Sequence, residues 1–251
     1  MLKLNKPLGP DISIIFTGYN EGADVLRNLN RVKNLLNTSR YSWEMILYDD
    51  KSSDKTLDFF KEFADTHKNV SVFFHKNNLG RGRTVKDAIL KSKGNIVGYI
   101  DTDLELSPVY IFEFILDLLN GADVAIARRY YTIKGSNLIR AVASKVYPIL
   151  ADYFLNLHFQ DTEAGFKFFK RRKILPILRK VRDERWFFDT EILARSLWAG
   201  LKIVEIPVVY IRNPEKKSSV KLIKDSVEYL RKIWYFRKEA NKRHANCNSY
   251  P

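Results

Sequence analysis

The sequence predicts an α/β fold with a mostly parallel central sheet flanked by helices. Short runs rich in β-branched and aromatic residues alternate with helical patterns over the first 130 residues, and the connections are short. Three of these runs lead into acidic residues, as expected where the carboxyl ends of parallel strands form a ligand-binding edge. No internal repeat is visible, so we expect a single domain over residues 1–240.

Five strands are predicted in the first half of the chain. Each is a short apolar run that stops at turn residues or charges. Between the strands, apolar residues recur at helical spacing, as in Val25, Leu29, Val32 and Leu36. The predicted strands span 11–16, 43–48, 70–75, 96–100 and 124–127; the predicted helices follow Glu21 and span 55–65, 85–92 and 110–119, with a loop at 77–82.

The pattern changes after residue 130. We expect a long helix over 137–157 that contains Pro148, a polar-to-aromatic segment over 160–169, a helix over 187–199 and a strand over 203–210. An amphipathic helix is predicted over 221–240, followed by a polar tail, 241–251, that is expected to be disordered.

Composition and charge exclude several classes of protein. The 251 residues include one cysteine, Cys247, which excludes an internal disulfide framework and a cysteine-rich metal site. Residues 1–10 lack the apolar core of a signal peptide, and Asp117 and Asp123 interrupt the longest candidate for a spanning helix. The net charge of +14 is concentrated in 167–185 and 212–243, which favours an anionic partner or, alternatively, a solvated basic face.

Acidic residues at alternate positions follow the fourth predicted strand. In extended chain, side chains two residues apart point the same way, so Asp101, Asp103 and Glu105 can converge. Hard divalent ions such as Mg²⁺ or Mn²⁺ take such oxygen ligands and often share them with substrate phosphates. The alternative is a turn whose acidic residues are solvated or cap a helix.

Six short motifs occur in order along the chain. They are Tyr19–Glu21, Asp49–Thr56, Asn78–Gly82, Asp101–Leu104, Asp161–Lys167 and Lys202–Val208. In these motifs the chain resembles the family-2 glycosyltransferases, in particular the dolichyl- or polyprenyl-phosphate sugar synthases, over about residues 11–235.

The resemblance implies a GT-A fold, with a nucleotide-sugar-binding half at 11–130 and an acceptor half at 131–220. It implies that Tyr19, Glu21 and Asp49 hold the base and ribose of a nucleotide-diphosphate sugar. It also implies that Asp101 and Asp103 engage a Mg²⁺ or Mn²⁺ ion and the diphosphate. The remaining positions implied are Glu105 as a metal ligand; Thr17, Leu47, Asp50, Thr102, Lys202, Arg212 and Lys221 in donor binding; and Asp101, Asp103, Asp161 and Glu191 in catalysis.

The chain departs from the family pattern at two positions of the nucleotide pocket. Thr17 stands where proline is usual, and Lys51 stands where glycine is usual. Arg212 and Lys221 are our candidates for offsetting the charge that builds on the departing diphosphate.

The acceptor is expected to be a lipid phosphate. Such a phosphate is already an anion and needs no general base, but it needs positive charge to bind. The resemblance implies that Arg129, Arg140 and Ser144 hold it, and residues 140 and 144 share a helix face.

The main alternative is a soluble family-2 transferase acting on a saccharide hydroxyl. A hydroxyl needs a general base, and Asp161, Asp189 and Glu191 are the candidates. Nucleic-acid binding is less favoured, because the acidic sheet edge would repel phosphate and no nucleic-acid motif is present. A non-catalytic partner subunit is disfavoured by the intact Asp101 and Asp103.

We therefore expect an inverting, metal-dependent hexosyltransferase similar to dolichyl-phosphate mannosyltransferases, with GDP-mannose or a UDP-sugar as donor. We expect it to be cytoplasmic and peripheral on an anionic membrane face. The helix that begins at Lys221 is the candidate contact, the alternative being that it packs against its own domain. Its apolar residues near one face are Leu222, Ile223, Val227, Leu230, Ile233 and Trp234.

Overall fold

The computed structural model describes residues 9–131, 149–211 and 222–247. Strands and helices alternate along most of this part of the chain. In order they are β1 (Ile12–Gly18), α1 (Asp24–Asn37), β2 (Trp43–Asp49), α2 (Thr56–Asp65), β3 (Val70–Phe74), α3 (Arg81–Lys91), β4 (Ile96–Ile100), a 3₁₀ turn (Pro108–Tyr110), α4 (Ile111–Leu119), β5 (Val124–Tyr131), α5 (149–155), β6 (Phe166–Lys170), α6 (Arg171–Leu178), α7 (Phe188–Trp198), β7 (Ile203–Tyr210) and α8 (Leu222–Cys247).

The strands form one seven-stranded sheet in the order β3-β2-β1-β4-β6-β5-β7. β6 runs antiparallel to both of its neighbours, and the other pairings are parallel. This confirms the predicted, mostly parallel α/β fold. β6 and α6 were not predicted: the segment over 160–169, expected to run from polar to aromatic residues, ends in β6, where Lys167 is fully buried.

Helices cover both faces of the sheet. α1, α2 and α4 pack on one face through apolar residues such as Leu29, Phe60 and Phe114. α3, α6 and α7 pack on the other face through residues such as Ile89 and Ile192. This three-layer arrangement leaves the carboxyl ends of the parallel strands uncovered by the helices that pack on the faces.

A third cluster joins α5, α7 and α8. Ile233, one of the apolar residues of the candidate membrane contact, is fully buried here with Tyr229 and Phe236, as expected for the alternative in which the helix packs on its own domain. The spacing of these three residues matches one helix face, which explains why α8 packs on the domain. The same helix leaves Leu230 and Trp234 exposed.

Several boundaries differ from those predicted. α3 begins at Arg81, inside the predicted loop, directly after Gly80, whose φ of 102° ends the preceding turn. α8 continues to Cys247, through part of the predicted tail, because 240–247 contains neither glycine nor proline. Of the predicted helix over 137–157, residues 149–155 are helical, and 137–148 lie outside the described residues.

β7 forms one outer edge of the sheet, and two of its backbone donors are already used or missing. Pro207 has no N–H, and the N–H of Val209 donates to the hydroxyl of Tyr110 at 3.2 Å. Beyond the strand, the N–H of Ile211 donates to the carbonyl of Glu105 at 2.9 Å.

In the described part of the chain, no helix combines the length and the apolar composition that crossing a membrane requires.

Candidate active site

The carboxyl ends of β2, β1 and β4 lie side by side, because these strands are neighbours and parallel. Asp49 ends β2, and Asp101 directly follows β4. The predicted gathering of acidic residues at one sheet edge is therefore confirmed. A cleft beside β4 is lined by Asp101, Asp103, Glu105, Arg129, Phe166 and Tyr210.

Asp101 is held by the backbone and by a cation. Its N–H donates to the carbonyl of Gly165 at 3.0 Å, and Arg81 Nη2 donates to its Oδ1 at 2.9 Å. A Cβ at residue 165 would lie 2.0 Å from Oδ2, so only glycine leaves room for this carboxylate. Desolvation raises the pKa of Asp101 and Arg81 opposes that rise, while nearby Asp103 raises it further; the 49% exposure of the side chain limits the effect of desolvation.

Glu105 is directed towards β7. Its side chain accepts a hydrogen bond from the hydroxyl of Tyr210, whereas Asp103 Oδ1 accepts from the backbone N–H of Glu105 at 3.2 Å. Across 9–131, 149–211 and 222–247, no three His, Cys, Asp or Glu side chains form a group that could hold a metal ion. The predicted set of Asp101, Asp103 and Glu105 is therefore not assembled here, since Tyr210 holds the third member.

A buried cluster of charges lies behind Asp101. Arg81 Nη1 donates to Asp189 Oδ2, and the buried Lys167 Nζ donates to Asp189 Oδ1 at 2.8 Å. The hydroxyl of Tyr99 also donates to Asp189. Burial acts to raise the pKa of Asp189, but Arg81 and Lys167 outweigh it and lower the pKa below its usual range. Asp189 is therefore a weak base.

Arg81, Lys167 and Tyr99 were not predicted to be site residues. Arg81 stands in the Asn78–Gly82 motif and Lys167 ends the Asp161–Lys167 motif, so both were marked by the family pattern. Their shared partner, Asp189, could not be identified, because it lies 108 positions from Arg81 in the chain.

Asp161 forms a bidentate ion pair with Arg129. Arg129 Nε and Nη2 donate to the two carboxylate oxygens at 2.7 and 2.9 Å. Although burial acts to raise the pKa of Asp161, Arg129 lowers it overall. This pair engages both a predicted catalytic residue and a predicted acceptor-binding residue.

Glu163 follows Asp161 by two residues and is partly buried. Burial raises the pKa of Glu163 to about 7, Arg129 opposes this rise, and the carboxylates of Asp161 and Asp189 add to it. Near neutral pH the side chain therefore exists in both its protonated and its ionised form.

The loops that follow β1 and β2 are joined by hydrogen bonds. Asn20, at φ 58°, accepts the N–H of Ser53 through its side chain at 2.8 Å and donates its own N–H to Ser52 Oγ at 3.0 Å. The N–H of Glu21 donates to Thr56 Oγ1 at 2.8 Å. These bonds fix the predicted nucleotide-binding segments relative to each other.

The predicted donor-binding residues at this edge differ in exposure. Tyr19 is 48% exposed and Thr17 is partly buried, whereas Asp49 is buried and accepts the N–H of Ser52 at 2.9 Å. Thr102 is also buried, and its carbonyl accepts the side-chain amide of Asn28 at 2.9 Å. A role in donor binding for these residues stays a prediction.

Two of the side chains predicted to bind the donor are buried and contact other parts of the protein. Leu47 is fully buried in the apolar core. Asp50 is buried and accepts from His75 Nδ1 at 2.8 Å and from the N–H groups of Leu79 and Gly80 at 2.9 and 2.8 Å. Asp50 therefore holds the turn that leads into α3.

The structure does not support the roles predicted for Lys202 and Glu191. Lys202 directly precedes β7, which is parallel to β5, so it lies at the amino edge of the sheet, opposite the cleft. Glu191 is buried and accepts from Arg195 Nε at 2.6 Å and from the N–H of Asp183 at 2.7 Å. These contacts give Glu191 a structural role rather than the expected catalytic one.

Four predicted site residues, Arg140, Ser144, Arg212 and Lys221, lie outside the described residues. Their assignments to the acceptor phosphate and to the departing diphosphate stay predictions.

Residues 13–176 match the sequence family described as Glycosyl transferase family 2. Glycosyltransferase AglD of Haloferax volcanii is 27% identical over 222 residues, and the match spans 86% of this chain but 35% of that protein. The dolichyl-phosphate beta-glucosyltransferase of Dictyostelium discoideum is 27% identical over 89% of this chain and 76% of its own length. The Saccharomyces cerevisiae enzyme of the same name is 25% identical over 86% of this chain and 73% of its own length.

Among solved structures, glucosyl-3-phosphoglycerate synthase from Mycobacterium tuberculosis superposes with a TM-score of 0.67 at 18% identity. The superposition covers 91% of this chain and 80% of the other. That structure contains Mn²⁺, UDP and glucosyl-3-phosphoglycerate. At this identity the likeness shows the fold alone, and it confirms the predicted GT-A fold.

Proposed function

The chain belongs to glycosyl transferase family 2, and from this membership we propose that it transfers a hexose from a nucleotide-diphosphate sugar to the phosphate of a polyprenyl or dolichyl lipid. The observation that carries the proposal is the state of the candidate bases. Asp161 is paired with Arg129, Asp189 with Arg81 and Lys167, and Glu191 with Arg195. A phosphate acceptor needs no general base, so these pairings suit it better than they suit a hydroxyl.

The donor end of the site fits a divalent ion. Asp101 and Asp103 supply the hard carboxylate oxygens that Mg²⁺ and Mn²⁺ prefer, and Gly165 leaves the space that the Asp101 carboxylate occupies. A bound ion would offset the negative charge of the departing nucleoside diphosphate. Arg81 Nη2 holds the Asp101 carboxylate, and the N–H of Glu105 donates to Asp103 Oδ1. The resemblance implies direct displacement with inversion at the anomeric carbon.

The donor sugar is the finer part of the proposal. The relatives from D. discoideum and S. cerevisiae are named as glucosyltransferases, which favours glucose over the mannose expected from the sequence. The fold neighbour contains UDP, which makes a UDP-sugar the first donor to assay.

Membrane association would bring the site to a lipid acceptor. On α8, Trp234 and Tyr235 are 50% and 53% exposed, and Lys238 Nζ lies 4.4 Å from the centre of the Trp234 ring. On α5, Ile149 and Tyr153 are also exposed. Exposed aromatic side chains beside cations are typical of helices that lie at an anionic membrane surface.

One observation favours the alternative, a saccharide hydroxyl as acceptor. A general base works best with a pKa near the working pH, and burial raises the pKa of Glu163 to about 7. If the acceptor is a hydroxyl, Glu163 is therefore a better base than Asp161.

Turnover assays test the proposal. Asp103→Ala should abolish transfer from a UDP-sugar, whereas Glu62→Ala, which changes an exposed acid on α2, should leave it intact. Full activity of the Asp103 variant with its fold unchanged would contradict the metal assignment.

The acceptor is tested by comparing dolichyl phosphate with free sugars. We expect dolichyl phosphate alone to stimulate donor consumption, and Arg140→Ala to raise its KM while nucleotide affinity stays nearly constant. We also expect Glu163→Gln to retain transfer to the lipid phosphate. Transfer to sugars only, lost in Glu163→Gln, would establish the alternative.

Sedimentation with anionic vesicles tests the membrane contact. Replacing Trp234 and Tyr235 by alanine should weaken binding, and Phe74→Ala, which removes an equally exposed ring at the β3 edge of the sheet, should not. Binding should also weaken as salt rises, because part of the attraction is electrostatic. Equal binding by both variants would mean that α8 serves only to pack on its own domain.

A further inference from the structure

We infer that Arg81 is a fixed counter-ion of the candidate metal site, and that it makes binding of a divalent ion depend on simultaneous binding of a nucleoside diphosphate. The inference rests on the proposed function, because it concerns the ion and the donor of the same reaction. Arg81 would act through its positive charge and its fixed position beside Asp101.

Arg81 is fixed from several sides. Its guanidinium bonds to Asp189, which is 2% exposed, and lies 5.6 Å from the ring centre of Tyr99 and 6.0 Å from that of Trp186. Lys167 and Tyr99 hold Asp189 in turn. A buried guanidinium that left such a partner would leave a buried carboxylate with less compensation, so Arg81 is expected to stay in place.

The turn before Arg81 is fixed as well. Asp50 accepts the N–H groups of Leu79 and Gly80, and His75 bonds to Asp50 at 2.8 Å. A Cβ at residue 80 would lie 2.5 Å from the carbonyl of Glu184, so the turn packs directly against the segment before α7. The first residue of α3 is therefore presented to Asp101 by a closely packed backbone.

Arg81 already uses the carboxylate that a divalent ion needs. Its Nη2 lies 2.9 Å from Asp101 Oδ1, and an ion bound by Asp101 would share that carboxylate with a guanidinium that cannot move away. Two cations that share one partner in a partly desolvated site repel each other. Without an ion, the Asp101 carboxylate therefore already has a positively charged partner.

The protein also supplies few ligands of its own. Tyr210 holds Glu105, and the residues that the structure describes contain no group of three acidic, His or Cys side chains suited to a metal. A diphosphate brings both oxygen ligands and negative charge, so it supplies ligands that the protein lacks and offsets the repulsion between the ion and Arg81. The ion and the diphosphate should therefore bind cooperatively, and the coupling must be reciprocal.

Titration of Mn²⁺ tests the inference, with unbound Mn²⁺ measured by its paramagnetic resonance signal in the presence and absence of UDP or GDP. For the wild-type chain we expect UDP or GDP to lower the Kd of Mn²⁺ at least tenfold. For Arg81→Gln without nucleotide we expect Mn²⁺ to bind about tenfold more tightly than to wild type, because the repelling charge is gone. In this variant, the factor by which UDP or GDP lowers the Kd of Mn²⁺ should be about ten times smaller than in wild type.

Two variants serve as controls. Arg81→Lys keeps the charge and should resemble wild type. Arg83→Gln removes a charge from the same helix, but Arg83 pairs with Asp87 and Glu184 instead of Asp101, so Mn²⁺ affinity should not change. Thermal unfolding checks that Arg81→Gln folds, which is expected since Lys167 still pairs with Asp189.

Unchanged or weaker Mn²⁺ binding in folded Arg81→Gln would overturn the inference, because Arg81 would then only hold Asp101 in position. If wild type binds neither UDP nor GDP with Mn²⁺ present, the proposed function fails instead. In that case the comparison of Mn²⁺ affinities without nucleotide still decides the role of Arg81.

Discussion

Replacing Glu163 by glutamine should stabilise the protein at alkaline pH and have little effect at acidic pH. Burial raises the pKa of Glu163 to about 7, whereas the ordinary value is 4.5. Between these two values the folded state binds more protons than the unfolded state, so stability falls as pH rises from 4.5 to about 7. Glutamine has the same shape and does not ionise, so the variant avoids this loss.

The raised pKa of Glu163 lies about 2.5 above its ordinary value, and this difference corresponds to about 3 kcal/mol at about 1.36 kcal/mol for each step of one in pKa. The side chain is partly exposed, and solvent screening reduces this figure, so we expect about 2 kcal/mol. For a chain of this length, that gain is about 4–8 °C in Tm.

Thermal unfolding at about pH 4 and about pH 8 measures the effect as the difference between Glu163→Gln and wild type at each pH. Glu62→Gln, an exposed glutamate on α2, is the matched control and should show the same small difference at both. A stabilisation of Glu163→Gln that is equal at the two pH values, or a loss of stability at pH 8, would refute the reasoning.

Three further substitutions probe the backbone and the turn before α3. Lys51→Gly should raise stability by up to about 1 kcal/mol in chemical unfolding, because Lys51 adopts φ 64°, where a side chain is strained; a loss of that size would contradict this. Gly98→Ala should lower the Tm by about 4–8 °C, since its Cβ would lie 2.3 Å from the ring of Phe168, and an unchanged Tm would show that the ring moves freely. Asp50→Asn should destabilise the fold by about 1–3 kcal/mol, because it weakens the acceptor for His75 and two backbone N–H groups; full stability in urea would show that the turn holds without it.

Much of the fold could be predicted because local patterns determine it. β4 was predicted with its observed bounds, since a short apolar run ends at Asp101. β6 could not be recognised, because its buried Lys167 is stabilised by Asp189, a partner from a distant helix. From sequence, a charged residue is predicted to be exposed to solvent unless a partner that could neutralise it is known.

The site was predicted in part for similar reasons. Asp101 and Asp103 were found because their spacing and their place after a strand are both local. Asp49 and Asp50 are neighbours in sequence, yet they serve different loops: Asp49 accepts from Ser52, and Asp50 holds the turn before α3. Sequence motifs give the position of an acidic residue, but its hydrogen-bond partners follow only from the packed structure.

The outer edge of β7 has a consequence for how copies of this chain meet. An edge strand with free backbone donors invites another chain to extend the sheet, which is a common route to aggregation. Here Pro207 offers no donor, and Tyr110 occupies the N–H of Val209. Along this edge, β7 therefore offers few free backbone donors to which a second copy of the chain could bond. Replacing Pro207 by valine would restore a backbone donor in the middle of the strand, and with it a template for fibril-like growth that the native sequence withholds.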